Sequence, residues 1–366
     1  MFSIYKFKTI SILSLAACVL FTSCEENNEV EEPSYNVPST YNFENVSYSG
    51  QQARIDMLSE IDAYVKTGNS GAVLDAQKLK NMYANTNNPF SSTALNTAGK
   101  QLKDKTIEIA RAQFEGYFDA VALASTSAGA QATSGSAGLL TTADQSKYLV
   151  DANGVELAQV IQKGLMGAVF YNQIVDVYLS DDKIGASVDN TTVKPGEGTP
   201  MEHHWDEAFG YFGAPKDFPT NKVNLKFWAS YSNKLDAVLG SNSKLMDAFL
   251  KGRAAISAKD MEGKNAAVST IRTEFERLVA ASAIHELNSA KSNFADQAKK
   301  SHYLSEAIGF VISLQFKKGR VLTTEQQAQV LNKIGTNLYN TTVNDINDAI
   351  NILSTAYQFD AIKGNL

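Results

Sequence analysis

Apolar side chains recur every three to four positions along most of the chain, and this spacing predicts amphipathic helices. In residues 49–67, for example, Ile55, Leu58 and Ile61 fall on one face, with acidic residues mostly between them. Alanine is frequent and β-branched runs are scarce, so the predicted fold class is all-α, with the helices packed as two stacked bundles. Further helices are predicted at 75–84, 106–125, 158–179, 224–239, 243–258, 262–291, 295–317, 323–335 and 343–363.

One short stretch departs from the helical period. Asn153 and Gly154 stand between two short runs that contain apolar residues, and both residue types accept positive φ. We therefore predict one small β-hairpin at 147–157. The segment 125–138 before it is rich in Ala, Gly, Ser and Thr, has few bulky side chains, and is predicted to be a flexible connection.

The first part of the chain has the order of features found in a bacterial export signal. Lys6 and Lys8 precede an apolar segment at 10–21, and an acidic run begins directly after Cys24. Cys18 and Cys24 both stand where a lipidated cysteine is expected, and we favour Cys24 because cleavage there leaves a polar new terminus. An ordinary cleaved signal or an N-terminal membrane anchor is the alternative.

Four segments follow from these patterns. They are a lipoprotein signal peptide at 1–23, a flexible acidic tether at 24–41, an N-terminal helical bundle with the hairpin at 42–220, and a C-terminal helical bundle at 221–366. No segment after the signal approaches the roughly 20 apolar residues that cross a bilayer. A lipid on Cys24 is therefore the predicted attachment to the membrane. We expect the protein in the cell envelope, at the outer membrane of a Gram-negative bacterium, on its periplasmic or surface face.

Composition argues against several classes of function. A net charge of −6 does not suit nucleic acid as a partner, because phosphate binding needs a concentrated basic surface. Both cysteines lie within the first 24 residues, so the rest of the chain has no disulfide framework, thiol nucleophile or Cys-ligated zinc. His285-Glu286 is followed by Ser289 where a zincin has histidine, and no GxSxG, P-loop or GxGxxG occurs in the required context.

The run 201–213 concentrates ligand chemistry. It holds two of the four histidines, one of the two tryptophans and three carboxylates. In a helix, His204 and Glu207 share a face at i,i+3, and His203 stands one turn before Glu207 at i,i+4. We predict that these three residues form half of a metal or small-ligand site. A helix end whose polar side chains only cap and hydrate it is the alternative.

A metal site needs donors from more than one helix, so the other half must come from elsewhere. His302 and Glu306 repeat the i,i+4 arrangement on a later helix, and Glu115 and Asp119 do so among aromatic residues. These four are the further candidate metal ligands, because facing helices of a bundle build metal sites in this way. An intrahelical hydrogen bond for the first pair, and an Arg or Lys partner for the second, are the alternatives.

A family resemblance rests on the sequence Gly198-Thr-Pro-Met-Glu-His-His-Trp-Asp-Glu-Ala-Phe-Gly-Tyr-Phe-Gly213, together with the lipoprotein start and the helical pattern. From about Tyr41 onward, the chain resembles the imelysin-related lipoproteins of Bacteroidetes type. The resemblance implies an envelope protein of two helical bundles, linked to iron acquisition and nominally classed as a peptidase, with a GxHxxE motif beside the domain interface. His204 and Glu207 match the histidine and glutamate of that motif, and Glu202 stands where the motif has glycine.

We therefore expect a protein that binds a metal ion, either a divalent metal or iron, or a metal-containing ligand near His204 and Glu207, in iron acquisition rather than as an enzyme. The second hypothesis is a metallopeptidase of imelysin type, with Glu207 as general base beside a His-bound metal. The third is a non-catalytic surface interaction protein without a metal, in which the aromatic residues at 205–212 are core. The expected partners are the membrane, a small ligand or metal, and an envelope protein.

Overall fold

Helices make up most of the chain that the computed structural model describes, which comprises residues 1–2 and 34–366. This confirms the all-α class with one small hairpin. Cys18, Cys24 and all of the predicted signal peptide except residues 1–2 lie outside the described residues. The helices are α1 Ser49–Lys66, α2 Ala76–Ala84, α3 Thr93–Asn96, α4 Glu108–Ser125, α5 Leu157–Leu165, α6 Asp181–Ile184, α7 Pro200–Phe212, α8 Phe227–Leu239, α9 Ser241–Ala258, α10 Met261–Ser292, α11 Gln297–Ser313, α12 Thr324–Ile334 and α13 Val343–Tyr357.

The hairpin uses a different turn from the predicted one. Strand β1, Gly138–Thr141, pairs antiparallel with β2, Lys147–Val150. The second strand lies where it was predicted, but its partner precedes it in the chain and begins at Gly138, the last residue of the predicted flexible connection. Asn153 and Gly154 instead turn the chain from β2 into α5, and Gly154 has the positive φ, 80°, that this turn needs. The turn of the hairpin lies at 142–146, where the backbone N–H of Thr142 donates to the carbonyl oxygen of Ser146 at 2.9 Å and Gln145 has the positive φ, 67°. Asn and Gly tolerate positive φ well, but here glutamine adopts it, so the Asn-Gly signal indicated the wrong turn.

The predicted long apolar helix after the hairpin is present and buried. It begins as α5 and continues through two π-helical turns, Met166–Tyr171 and Gln173–Tyr178. A Cβ on Gly167 would collide with Ser313, so glycine lets α11 approach this helix closely. The helix belongs to the protein interior, and none of the helices in the described part of the chain is long and apolar enough to cross a membrane.

One hydrophobic core runs through the unit Tyr35–Leu366. It contains side chains from both sides of the predicted boundary at 220/221, including the fully buried Trp205 and Trp228. The 32-residue helix α10 packs against α8, α9, α11 and α13, and therefore joins helices from much of the C-terminal half. The N-terminal and C-terminal helices thus share one interior.

The last residues of the predicted tether belong to this folded unit. The hydroxyl of Tyr35 donates to Oδ2 of Asp260 at 2.8 Å, and the fully buried Tyr41 donates to Oδ1 of Asp206 at 2.7 Å. Residues from Tyr35 onward, within the predicted tether at 24–41, thus contact the helical body. Polar composition suggested a tether, but these two aromatic side chains find acceptors on the helical body.

The ends of α7 are encoded locally. Oγ1 of Thr199 accepts the backbone N–H of Glu202 at 3.3 Å, and the Glu202 carboxylate accepts the backbone N–H of Thr199 at 2.9 Å. This reciprocal capping box is followed by Pro200 at the first helical position. Gly213, with φ of 80°, ends the helix in the left-handed conformation. These signals place the histidines in the first two turns of α7.

Candidate functional site

Helix α7 carries charged side chains on two faces, and the face toward α9 is closed by a buried ion-pair network. Nη1 of Arg253 lies 2.7 Å from Oε1 of Glu202, and its Nε lies 2.9 Å from Oδ1 of Asp206. Burial raises the pKa of Asp206 to about 7, although Arg253 acts in the opposite direction. This face anchors α7 to the core.

The second face presents Glu207 in a fixed orientation. Its Oε1 accepts a hydrogen bond from Nε2 of Gln51 at 2.7 Å and another from the hydroxyl of Tyr178 at 3.1 Å. Burial, and then the charge of Glu207, raise the pKa of Tyr178, so its hydroxyl stays protonated and keeps donating. The carboxylate is held by α1 on one side and by the end of the π-helical segment on the other.

His203 and His204 have different surroundings. Nε2 of His203 lies 3.9 Å from Oε2 of Glu207, and both residues line a cleft. Nδ1 of His204 lies 2.7 Å from the carbonyl oxygen of Lys183 in α6, which requires a proton on that nitrogen. Burial lowers the pKa of His204, which favours the neutral ring. Since successive helical residues are rotated by about 100°, the pair that lines the cleft is His203 with Glu207, not His204 with Glu207.

The cleft has a volume of about 400 Å³, which lies in the range of small-molecule sites. Its walls come from the beginning of α1, the loop between α3 and α4, the π-helical segment and α7. Within the described chain, no side chain caps the N-terminus of α1, whose first turn opens here. The lining residues are predominantly polar: Ser47, Tyr48, Ser49, Gly50, Gln51, Arg54, Gly99, Lys100, Asp104, Lys105, Tyr178, Glu197, His203 and Glu207.

His302 and Glu306 do not line this cleft. They lie 3.6 Å apart, measured from Nε2 to Oε1, so the predicted i,i+4 contact is present. Nδ1 of His302 lies 2.6 Å from Oε2 of the fully buried Glu156, and the ammonium of Lys163 lies 3.3 Å from Oε1 of Glu306. The hydroxyl of Tyr231 reaches the other oxygen of Glu306 at 3.1 Å. This is a separate buried network in which a lysine already supplies the cation.

Glu115 and Asp119 also lie outside the cleft. The carboxylate of Glu115 is 2.6 Å from the ammonium of Lys103, and that of Asp119 is 2.7 Å from the ammonium of Lys80. All four side chains are substantially exposed, as expected for the solvated face of α4 and its neighbours. The alternative of a lysine partner therefore describes this pair, and the structure does not bring it to α7.

The side chains around Glu207 do not by themselves form a metal-binding set. Over residues 1–2 and 34–366, no group of three or more His, Cys, Asp or Glu side chains could hold a metal ion. Zinc sites in proteins take three or four protein donors. Nδ1 of His204 is engaged with a backbone carbonyl, and Oε1 of Glu207 accepts two hydrogen bonds. A metal that reaches His203 and Glu207 would need its remaining ligands from water or from a molecule that carries it.

Sequence reasoning missed several residues of the cleft. Gln51 and Arg54 are buried polar side chains on α1, Tyr178 ends the π-helical segment, and Lys105 lies in the loop before α4. Arg54 next to the apolar stripe of α1 was a usable signal, since a buried arginine needs acceptors. Nothing in the local sequence around Lys105 indicates that it meets α7.

Comparison with known proteins places the chain in a family without a known function. A family model described as "Domain of unknown function (DUF4856)" matches residues 38–359. Neither a curated protein nor a solved structure gave a match. The arrangement of side chains is therefore the main guide to function.

Proposed function

We propose that this chain, which belongs to the DUF4856 family, is a binding protein whose cleft beside His203 and Glu207 takes up a small polar ligand that contains a metal. The observation that carries the proposal is the orientation of Glu207 by Gln51 and Tyr178, next to His203, on the wall of a polar cleft. A carboxylate held in place before binding loses little conformational freedom when a ligand arrives.

A metal-containing ligand fits this cleft better than a bare ion. His203 and Glu207 offer one imidazole and one carboxylate, too few for a complete coordination shell. A small chelate brings most of its own donors and still leaves a charged centre for these two side chains to recognise. The resemblance to imelysin-related lipoproteins supports iron as the metal and iron acquisition as the role. A lipid on Cys24 would keep the binding unit at the cell envelope, where an envelope protein could receive the ligand.

Replacing Glu207 by glutamine is expected to weaken binding of a metal chelate at least about tenfold, because a charged acceptor is lost while the shape is kept. The measurement is calorimetric titration of the protein with gallium(III) citrate and iron(III) citrate. Glu115→Gln is the matched control, since it makes the same change in a surface ion pair with Lys103. The proposal fails if Glu207→Gln binds both chelates as wild type does, or if the control loses as much affinity.

Variants of the two neighbouring histidines test which one binds the ligand: His203, which lines the cleft, or His204, which matches the motif. His203→Ala is expected to reduce chelate binding by several-fold, because its ring lines the cleft, whereas His204→Ala should change it much less. The metal content of both variants after loading and desalting provides the measurement. A loss confined to His204→Ala would instead support the pair taken from the motif.

Binding is favoured over the peptidase alternative. A general base must reach a metal-bound water, and the described residues supply no set of ligands that would place a metal beside Glu207. We expect digestion of a peptide library to be absent, or unchanged in Glu207→Ala. Cleavage that disappears in this variant but persists in Glu115→Gln would revive the peptidase.

A further inference from the structure

Within residues 34–366, two lysines of the cleft have no ion-pair partner. The ammonium of Lys105 lies 5.6 Å from the centre of the Tyr178 ring, and among the residues that the structure describes no carboxylate lies within salt-bridge distance of it or of Lys100. Lys105 is half-buried, and burial, followed by the charge of Arg54, lowers its pKa. Two positive charges thus lie at one wall of the cleft, and that of Lys105 is partly removed from water, whereas Lys100 is exposed.

The carboxylates of the cleft are engaged elsewhere. Glu197 pairs with Lys194 at 2.7 Å, and Asp104 lies 3.6 Å from the guanidinium of Arg54. Glu207 faces the neutral donors Gln51 and Tyr178. Asp104 and Glu207 each act to raise the pKa of Lys105, but burial and the charge of Arg54 outweigh them. The described carboxylates of the cleft therefore offset the charge of Lys105 only in part.

We propose that Lys100 and Lys105, beside Arg54, form an anion-binding wall, and that the ligand of the cleft carries carboxylate or phosphate groups that lie against it. A partly desolvated ammonium without a partner is costly, and an oxyanion from the ligand removes that cost. This inference rests on the proposed function, because it assigns the anionic arms of a metal chelate to this wall and its metal centre to His203 and Glu207.

The positions of these side chains would also fix the orientation of a bound ligand. Lys100 and Lys105 come from the loop between α3 and α4, whereas His203 and Glu207 come from α7, so the two lysines and the His203–Glu207 pair occupy different walls. Asp104, on the same wall as the lysines, lies 3.6 Å from Arg54. A ligand with a cationic centre and anionic arms satisfies both walls together. A neutral sugar or an organic cation satisfies neither lysine, and we expect both to bind weakly.

The test uses metal-free probes, so that it addresses the lysine wall alone. Citrate and inorganic phosphate are titrated separately into the full folded chain at low and moderate ionic strength, with glycerol as the neutral comparison. At least one oxyanion is expected to bind, and Lys105→Gln should weaken it about tenfold, with a smaller loss for Lys100→Gln. Lys105→Arg should restore most of the affinity, and Lys103→Gln, which removes a lysine already paired with Glu115, should leave it unchanged. Preference for citrate or phosphate identifies the oxyanion.

Failure of this inference is distinguishable from failure of the proposed function. If neither oxyanion binds, or if Lys105→Gln binds like wild type, the anion wall is wrong even when gallium citrate binding still depends on Glu207. If citrate binding depends on Lys105 but adding gallium brings no gain in affinity, the anion wall stands and the metal proposal falls. Thermal unfolding of each variant shows whether a loss of binding reflects a loss of folding.

Discussion

Replacing Arg253 by methionine is expected to lower the free energy of unfolding by about 3–5 kcal/mol at pH 8, the usual cost of removing one partner from a buried ion pair. The guanidinium is only 1% exposed and contacts Glu202 and Asp206, and the latter is completely buried. Without the arginine, Tyr41 is the remaining side-chain donor to Asp206 among residues 34–366. At pH 5 the loss should be smaller, because the pKa of Asp206, raised by burial to about 7, lets it take up a proton.

Chemical denaturation at both pH values provides the measurement. Lys80→Met is the control, since its pair with Asp119 is exposed and should contribute less than about 1 kcal/mol. Adding Asp206→Asn to Arg253→Met should recover part of the loss by removing the unpaired carboxylate. A loss for Arg253→Met no greater than that for Lys80→Met would contradict the assigned role of this network.

The second large effect is a dependence of stability on pH that comes from two buried acids. Burial raises the pKa of Asp206 from an ordinary value of 3.8 to about 7. Burial, and then the charge of Glu306, raise the pKa of Glu286 above its ordinary value of 4.5, because the hydroxyl of Tyr231 brings the two carboxylates together at 3.3 and 3.1 Å. In both cases the folded state keeps a proton that the unfolded chain releases.

The sign follows from proton linkage. The stabilisation from each raised pKa is fully present below the unfolded value and is lost as the pH rises through the folded value. Between about pH 5 and 7, each of the two acids should make the free energy of unfolding fall by about 1.4 kcal/mol for each unit by which the pH rises. His204 and His285 act in the opposite direction, since burial lowers the pKa of both rings. The pH dependence of the wild-type stability is therefore the sum of these opposing contributions.

Substitutions of the two acids separate the contribution of each to the pH dependence of stability. Glu286→Gln and Asp206→Asn keep the shape of each side chain but cannot release the proton. Relative to wild type, the stability of each variant should rise with pH, with a slope of about 1.4 kcal/mol per pH unit within the window of its acid. Urea denaturation at pH 5, 6, 7 and 8 measures these differences, and Glu115→Gln serves as an exposed control. Difference curves that stay flat would show that these carboxylates are ionised in the folded protein at all four pH values.

Only part of the candidate site could be predicted from the sequence. Spacing along α7 put Glu207 within one turn of His203 and His204, and this was correct because it depends only on helix geometry. Which histidine lines the cleft depended on the positions of α1 and α6, which spacing on α7 does not contain. Lys105 reaches the cleft from a loop far away in the chain. Metal binding, iron acquisition and the lipid on Cys24 stay predictions.

The sequence by itself determined the long helices, but not the four-residue helices α3 and α6. Helix α10 was predicted at 262–291 and is found at Met261–Ser292. The capping box of α7 is formed by Thr199 and Glu202, which are three residues apart in the sequence. These features depend on periodicity and on side chains a few residues apart, so a short window of sequence contains their cause. Tertiary structure alone decided the lysine that neutralises Glu306 and the walls of the cleft. Those contacts join residues distant in sequence, whose partners are selected by the packing of the whole core.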